Sequence, residues 1–173
     1  MSDLLQGLAE CAKQNLVKYG YLTPLLMFFK EEHMLGGPQR MVNFPDCNLE
    51  DLKTRNIWAA GIFAKKMGAD LVVYISDAAF RMIPPDQAKD FKYNETEAPL
   101  SYPKSMRTEC IMLTGIHLPS GKTDTVMVPY KGGDGEPIEF LTNALPEGAV
   151  FQTRFTELAV DGWNRSDTIN IGD

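Results

Sequence analysis

The side chains that could do chemistry in this sequence are few and widely spaced. The two histidines, His33 and His117, form no H-x-x-x-H or H-x-H pair, and no paired-cysteine spacing accompanies them. Because a zinc site needs three or four such ligands to converge, the sequence predicts no metal site. No G-x-x-x-x-G-K-[ST] or G-x-G-x-x-G segment occurs either, so we expect no cofactor.

The three cysteines, Cys11, Cys47 and Cys110, are weak candidates for nucleophilic catalysis. Cys110 shares a predicted strand with His117, but their odd separation places them on opposite faces, about 20 Å apart along the strand. Cys47 precedes a predicted helix N-terminus, a position that favours a thiolate, yet no base is assigned beside it. We therefore assign no catalytic residue, and the absence of a C-x-x-C pattern predicts reduced thiols.

One polar group stands where a ligand site is often found. Ser76 and Asp77 follow an apolar run, Arg81 comes shortly after, and a long Pro-, Lys- and Glu-containing segment (84–105) leaves from the same place. Strand ends that carry long loops frequently bind ligands, so Ser76, Asp77 and Arg81 are the candidate ligand-binding residues. The alternative is that the Ser-Asp pair starts a turn by bonding its own backbone, and that 84–105 is a surface insertion.

The element that would position this group is a helix leading into a strand, over residues 48–76. Asn48 can cap the helix, and Gly68 follows its last apolar residue, where a left-handed conformation is favoured. The unbroken apolar run 71–75 that comes next predicts a strand covered on both faces. This unit is predicted to be the structural centre of the chain.

The predicted central helix has apolar residues on two sides. At about 100° per residue, one sector is expected to face the core; it contains Leu52, Ala59, Ala60, Phe63 and Met67. The other flank contains Arg55, Trp58, Gly61, Ile62 and Lys65. Trp and Arg are enriched at interfaces and Gly permits close approach, so this flank is predicted to bind a protein partner or a second copy. The alternative is that a second layer of the same domain covers it.

The remaining elements extend this unit in both directions. Residues 2–19 have helical periodicity with Gly20 as a stop, and predicted strands cover 22–30, 40–44, 107–118, 125–130 and 137–142. Residues 150–160 fit either a strand or a helix, and we favour a strand near 150–154. The chain from 164 to 173 is predicted to be a mobile polar tail.

This order predicts a single α+β domain over residues 1–163. Two helices pack on a mostly antiparallel sheet of about five to seven strands, in the order helix-strand-strand-helix-strand followed by a β-meander. The order resembles that of roadblock-type and profilin-type folds. The resemblance is architectural, involves roughly the first half of the chain and the meander, and implies no function.

Composition narrows the possible functions. The 173 residues are enough for one domain, and 44% of them are hydrophobic. A net charge of −6 and no basic cluster argue against nucleic acid as a partner. Without a long apolar segment or a basic N-terminal signal, we expect a cytoplasmic protein that does not bind membranes.

The leading hypothesis from the sequence is therefore a non-enzymatic protein-interaction or self-associating module. The alternative is a small-ligand sensor or an enzyme with its site at Ser76, Asp77 and Arg81, under the 84–105 segment.

Overall fold

The computed structural model describes residues 1–43, 50–80, 107–133, 135–141 and 154–168. Within these ranges the chain forms three α-helices and six strands. They are α1 (Ser2–Tyr19), β1 (Leu25–Phe29), β2 (Arg40–Asn43), α2 (Glu50–Met67), β3 (Leu71–Phe80), β4 (Thr108–His117), β5 (Lys122–Gly133), β6 (Glu136–Phe140) and α3 (Arg154–Arg165). Two short 3₁₀ helices, Glu31–Gly36 and Ser166–Thr168, complete this part of the chain.

The six strands form one sheet in the order β2-β1-β3-β4-β5-β6, and every neighbouring pair is antiparallel. The predicted α+β class and the antiparallel sheet are confirmed. The prediction of two helices was wrong by one, because α3 adds a third. β3 occupies an interior position between β1 and β4, as expected for an unbroken apolar run.

β3 is covered on both faces because its side chains alternate between two clusters. Leu71, Val73 and Ile75 pack with the buried face of α1. Val72 and Tyr74 pack on the opposite side with apolar residues of α2 and α3. The domain therefore has three layers, with α1 on one face of the sheet and the α2–α3 pair on the other.

The buried residues of α2 differ from those of the predicted core-facing sector. Ala60 is buried as predicted, but Ala59 and Phe63 are exposed, and Ile62 from the other flank is buried. α3 packs beside α2 and covers the other flank at Trp58, Gly61 and Lys65, as the alternative of a second layer in the same domain predicted. Asn48 lies outside the described residues, as does the side chain of Leu52.

The end of the chain also differs from the prediction. The chain is helical from Arg154 to Arg165, so the helical alternative for 150–160 is correct from Arg154 onward. Phe155, Leu158 and Trp163 pack on the α2 side of the core, which explains the helical spacing of these aromatic and aliphatic residues. The predicted strand near 150–154 otherwise lies outside the described residues.

The predicted mobile tail begins inside an ordered element. Asn164 and Arg165 belong to α3, and Ser166 is buried in the 3₁₀ turn that follows. Residues 169–173 of that predicted tail, and the whole of 84–105, fall outside the described ranges.

Candidate functional site

The structure separates two of the three predicted ligand-binding residues, Ser76 and Asp77. Ser76 and Asp77 lie within β3, which continues to Phe80, rather than at its end. As neighbours on a strand they point to opposite faces of the sheet. Ser76 is buried, with 5% of its surface exposed, whereas Asp77 reaches solvent on the α1 side. Arg81 lies outside the described residues.

Asp77 has a partner that the sequence did not reveal. The Tyr130 hydroxyl donates a hydrogen bond of 2.7 Å to its carboxylate. Burial raises the pKa of Asp77, against the lowering effect of this bond. Burial and the neighbouring Asp77 carboxylate raise the pKa of Tyr130, so the phenol remains protonated and acts as a fixed donor. The pair fastens β5 to β3 across the intervening strand.

The described side chains around this pair include an ion pair and a buried thiol. Glu109 lies opposite Tyr130 in the β4–β5 register and accepts a hydrogen bond of 3.1 Å from Arg107. Burial raises the pKa of the Cys110 thiol to about 12. At neutral pH the Cys110 thiol is protonated, and its side chain belongs to the buried core.

His117 contacts Ser120 and Glu31, which the sequence did not predict. Its Nδ1 lies 2.6 Å from the Ser120 Oγ, and its Nε2 lies 3.4 Å from a carboxylate oxygen of Glu31. These are the residue types of a Ser-His-carboxylate relay, but in that relay the serine bonds Nε2 and the carboxylate bonds Nδ1. Ser120 sits in an exposed turn and lines none of the clefts described below. The contacts tie the β4–β5 turn to the first 3₁₀ helix.

No group of three or more His, Cys, Asp or Glu side chains among the described residues could hold a metal ion. None of the helices in the described ranges is long and apolar enough to cross a membrane.

Among the described strands, β2 is the one whose residues are all exposed. β2 is the outermost strand on its side, and all four of its residues are exposed. Met41 is 58% exposed and Val42 is 37% exposed. From the register with β1, Met41 and Asn43 share the α1 face of the sheet, and Arg40 and Val42 share the α2 face.

A cleft opens beside β2 on each face of the sheet. The cleft on the α2 side has a volume of about 480 Å³ and lies between β1, β2 and α2. It is lined by Leu26, Phe28, Arg40, Val42, Ala59 and Phe63, among others. The cleft on the α1 side, of about 330 Å³, is lined by residues that include Tyr19, Tyr21, Leu22, Leu25 and Asn43. Neither cleft was predicted, because each combines elements that are distant in sequence.

Phe63 makes an aromatic contact and a cation–π contact in the wall of the α2-side cleft. The Phe63 ring meets the Phe28 ring edge-on, with centroids 5.6 Å apart. The Arg40 guanidinium lies 5.6 Å from the centroid of the Phe63 ring, a cation–π arrangement. β1, β2 and α2 are thereby joined at the rim of the cleft.

The predicted interface residues mostly make contacts within the chain. The Trp58 indole N–H donates a hydrogen bond of 2.9 Å to Asp161 of α3. Gly61 and Ile62 are buried, Gly61 directly against the backbone of α3. Lys65 forms an ion pair of 2.6 Å with Asp167. Of the five, Arg55 is exposed.

Comparison with known proteins adds no functional information. No protein-family model matches this chain, and neither the curated proteins nor the solved structures include a match.

Proposed function

We propose that this protein is a non-enzymatic interaction module that binds another polypeptide as an added strand along β2. The observation that carries the proposal is the difference between the two edges of the sheet. A free edge presents backbone N–H and C=O groups that can pair with another chain, and natural sheets usually block this. One edge of this sheet carries more of these blocking features than the other.

The β6 edge has the features that discourage pairing. Pro137 removes a backbone donor from β6, and the strand also carries Glu136 and Glu139. A register irregularity between Lys131 and Gly133 interrupts its ladder with β5. Proline, charge and a bulge are three of the devices that keep sheet edges from associating.

The β2 edge lacks two of these three features within its four residues. It contains no proline, and its pairing with β1 is continuous from Leu25↔Asn43 to Phe28↔Arg40, although Arg40 places one charge on it. Met41 and Val42 expose apolar surface there. Such an edge is suited to strand addition, in which main-chain hydrogen bonds supply affinity.

The two clefts beside β2 support the same proposal. Alternate side chains of an added strand point to opposite faces, so one set would enter the α2-side cleft and the other the α1-side cleft. Pockets for alternate side chains are the usual source of specificity in this mode of recognition.

The proposed partner is a protein, either another chain or a second copy. The net charge of −6 disfavours nucleic acid. A cytoplasmic location is part of the proposal, since Cys11 and Cys110 are both free, and a reducing compartment keeps thiols in that state. The alternative, a ligand site at the end of β3, has less support because Ser76 and Asp77 face opposite sides of the sheet.

The proposal is tested by adding charge to the β2 edge. Met41→Lys places an ammonium at a position 58% exposed on β2, and Val17→Lys makes the same charge change at a position 60% exposed on α1. Self-association is measured by light scattering, and peptide binding by selection from a random displayed library. We expect Met41→Lys to abolish the association or to lose the selected peptides, and Val17→Lys to retain them.

The proposal is overturned if the wild-type chain neither self-associates nor selects a peptide that Met41→Lys loses. Melting temperatures of both variants serve as the folding control, since lysine at an exposed position is expected to leave the fold intact.

A further inference from the structure

We infer that the β2 edge takes an extended acidic–apolar segment of another protein. In that segment an apolar side chain is flanked, two residues away on either side, by carboxylates. This inference rests on the proposed function and adds the chemistry of the partner.

The floor of the α2-side cleft defines the central residue of the segment. The cleft is bounded by the apolar side chains of Leu26 and Phe28 from β1 and of Ala60, Ile62 and Phe63 from α2. Its volume, about 480 Å³, falls in the range of pockets that bury ligand groups. A branched aliphatic side chain placed there would contact apolar atoms on both walls.

The rim of the same cleft defines the flanking residues. Arg40 lies at the β2 side of the rim. Arg55, Ala59 and Phe63 form an exposed stripe along α2, one helical turn apart. The charged groups among the described side chains of this cleft and stripe, Arg40 and Arg55, are therefore both cations, although the chain as a whole carries −6. These two guanidinium groups are complementary to a carboxylate-bearing partner.

The geometry of a strand sets the spacing. Side chains on one face of an extended chain recur every second residue, about 6.7 Å apart. If one of them enters the cleft, those two positions before and after it reach the rim near Arg40 and the α2 stripe. The intervening side chains face the α1 side, where Tyr19 and Tyr21 line the other cleft.

The same charges disfavour a second copy as the occupant. On the α2 face, β2 carries Arg40 and Val42. A symmetric β2–β2 pair would bring a second guanidinium to an already basic rim and would supply no carboxylate from its four residues. An acidic segment from another protein satisfies both the apolar floor and the basic rim.

The test uses three labelled peptides of about seven residues, long enough to pair with all of β2. All three have leucine at the central position. The residues two positions before and two positions after it are both glutamate in the first peptide, both glutamine in the second and both lysine in the third. Binding to the full chain is followed by fluorescence polarisation at low and high salt. We expect the glutamate peptide to bind at least about ten-fold more tightly than the glutamine peptide, and the lysine peptide most weakly.

Arg40→Gln and Arg55→Gln identify the groups that cause the preference. Each variant is expected to weaken binding of the glutamate peptide and to leave the glutamine peptide nearly unchanged. Lys13→Gln, which removes a cation on α1, is the matched control and should alter neither. High salt should reduce the glutamate preference.

Each other outcome has a distinct meaning. Equal binding of all three peptides overturns the charge inference and leaves strand addition standing. Self-association through β2 without peptide binding overturns it in favour of a second copy. Absence of both peptide binding and self-association overturns the inference together with the proposed function.

Discussion

Both flanks of α2 carry apolar residues, but α3 packs on only one of them. On one flank Gly61 meets α3 so closely that a Cβ at this position would lie 2.0 Å from the Ala159 carbonyl oxygen. In the same way, a Cβ at Gly162 of α3 would lie 2.0 Å from the Trp58 carbonyl oxygen. On the other flank Phe63 is 37% exposed beside the open cleft at β2. α3 closes the flank that contains Trp58 and Gly61, which we call the sealed flank. The flank that contains Phe63 is accessible, and we call it the open flank.

The difference shows that backbone approach, rather than hydrophobicity, decides which flank is closed. Two glycines facing each other let the axes of α2 and α3 come within backbone contact, and Ile57 and Ala64 are buried along the same helix. At the β2 side, the Phe63 ring and the Arg40 guanidinium lie between α2 and the edge strand. The space between them is the cleft.

The largest effect should come from Gly61→Ala. The added methyl group collides with main-chain atoms of α3, so we expect a loss of about 3 kcal/mol or more in the free energy of unfolding. Urea unfolding followed by circular dichroism measures it. Gly7→Ala in α1 is the control, because a Cβ there meets nothing within 4 Å and alanine should stabilise the helix by about 0.5–1 kcal/mol. Equal effects at the two sites would contradict the close crossing.

Trp58→Phe should have a smaller effect on the sealed flank. It keeps an aromatic ring but removes the indole donor to Asp161, at an expected cost of about 1–2 kcal/mol. A double-mutant cycle with Asp161→Ala, which removes the acceptor, isolates the coupling. Asp161 also accepts from Arg165, so Arg165→Gln alone shows how much of the cost belongs to that exposed pair. A coupling energy near zero would show that the Trp58 hydrogen bond does not stabilise the flank.

Phe63→Ala should separate stability from binding on the open flank. The side chain is partly exposed, so removing its contacts with Phe28 and Arg40 should cost about 1 kcal/mol, less than a fully buried phenylalanine. The same change removes a wall of the cleft and should weaken binding of the glutamate peptide at least about ten-fold. A large loss of stability with unchanged binding would reverse the roles assigned to the two flanks.

Asp77→Asn lies outside both flanks and should have the smallest effect. Burial holds the pKa of Asp77 above its unfolded value, so its contribution to stability is greatest at acid pH and falls as the pH rises through the folded pKa. Asparagine can still accept from Tyr130 and should remove this dependence, with a slight gain at neutral pH. Unfolding midpoints between about pH 3 and pH 7 measure the slope. A steeper slope in the variant would contradict the assignment.

The sequence predicted the elements that depend on local pattern. The apolar run of β3, the helical spacing that ends at Gly20, and the alternation of β4 each follow from neighbouring residues. α3 was ambiguous because Phe155 and Leu158 fit a helix while the preceding residues fit a strand. Tertiary packing on α2 resolves that ambiguity.

The site was harder to predict because its parts come together only through the fold. Tyr130 reaches Asp77 across 53 positions, and the register that aligns them has no local signal. The face of α2 that closes depends on α3, which follows about 90 residues later. What the sequence did contain was the glycine at position 61, whose close-approach role was recognised but assigned to a partner rather than to α3.

The position of α3 at the far end of the chain has a consequence for synthesis. α2 is synthesised long before residues 154–165, so Gly61 lacks its contacts with α3 in the nascent chain until α3 emerges from the ribosome. During that interval the helix carries exposed apolar surface on both flanks, the condition in which partly made chains aggregate or recruit chaperones. A chain that stopped before Arg154 would keep the sealed flank open permanently, and its exposed surface would mark it for degradation.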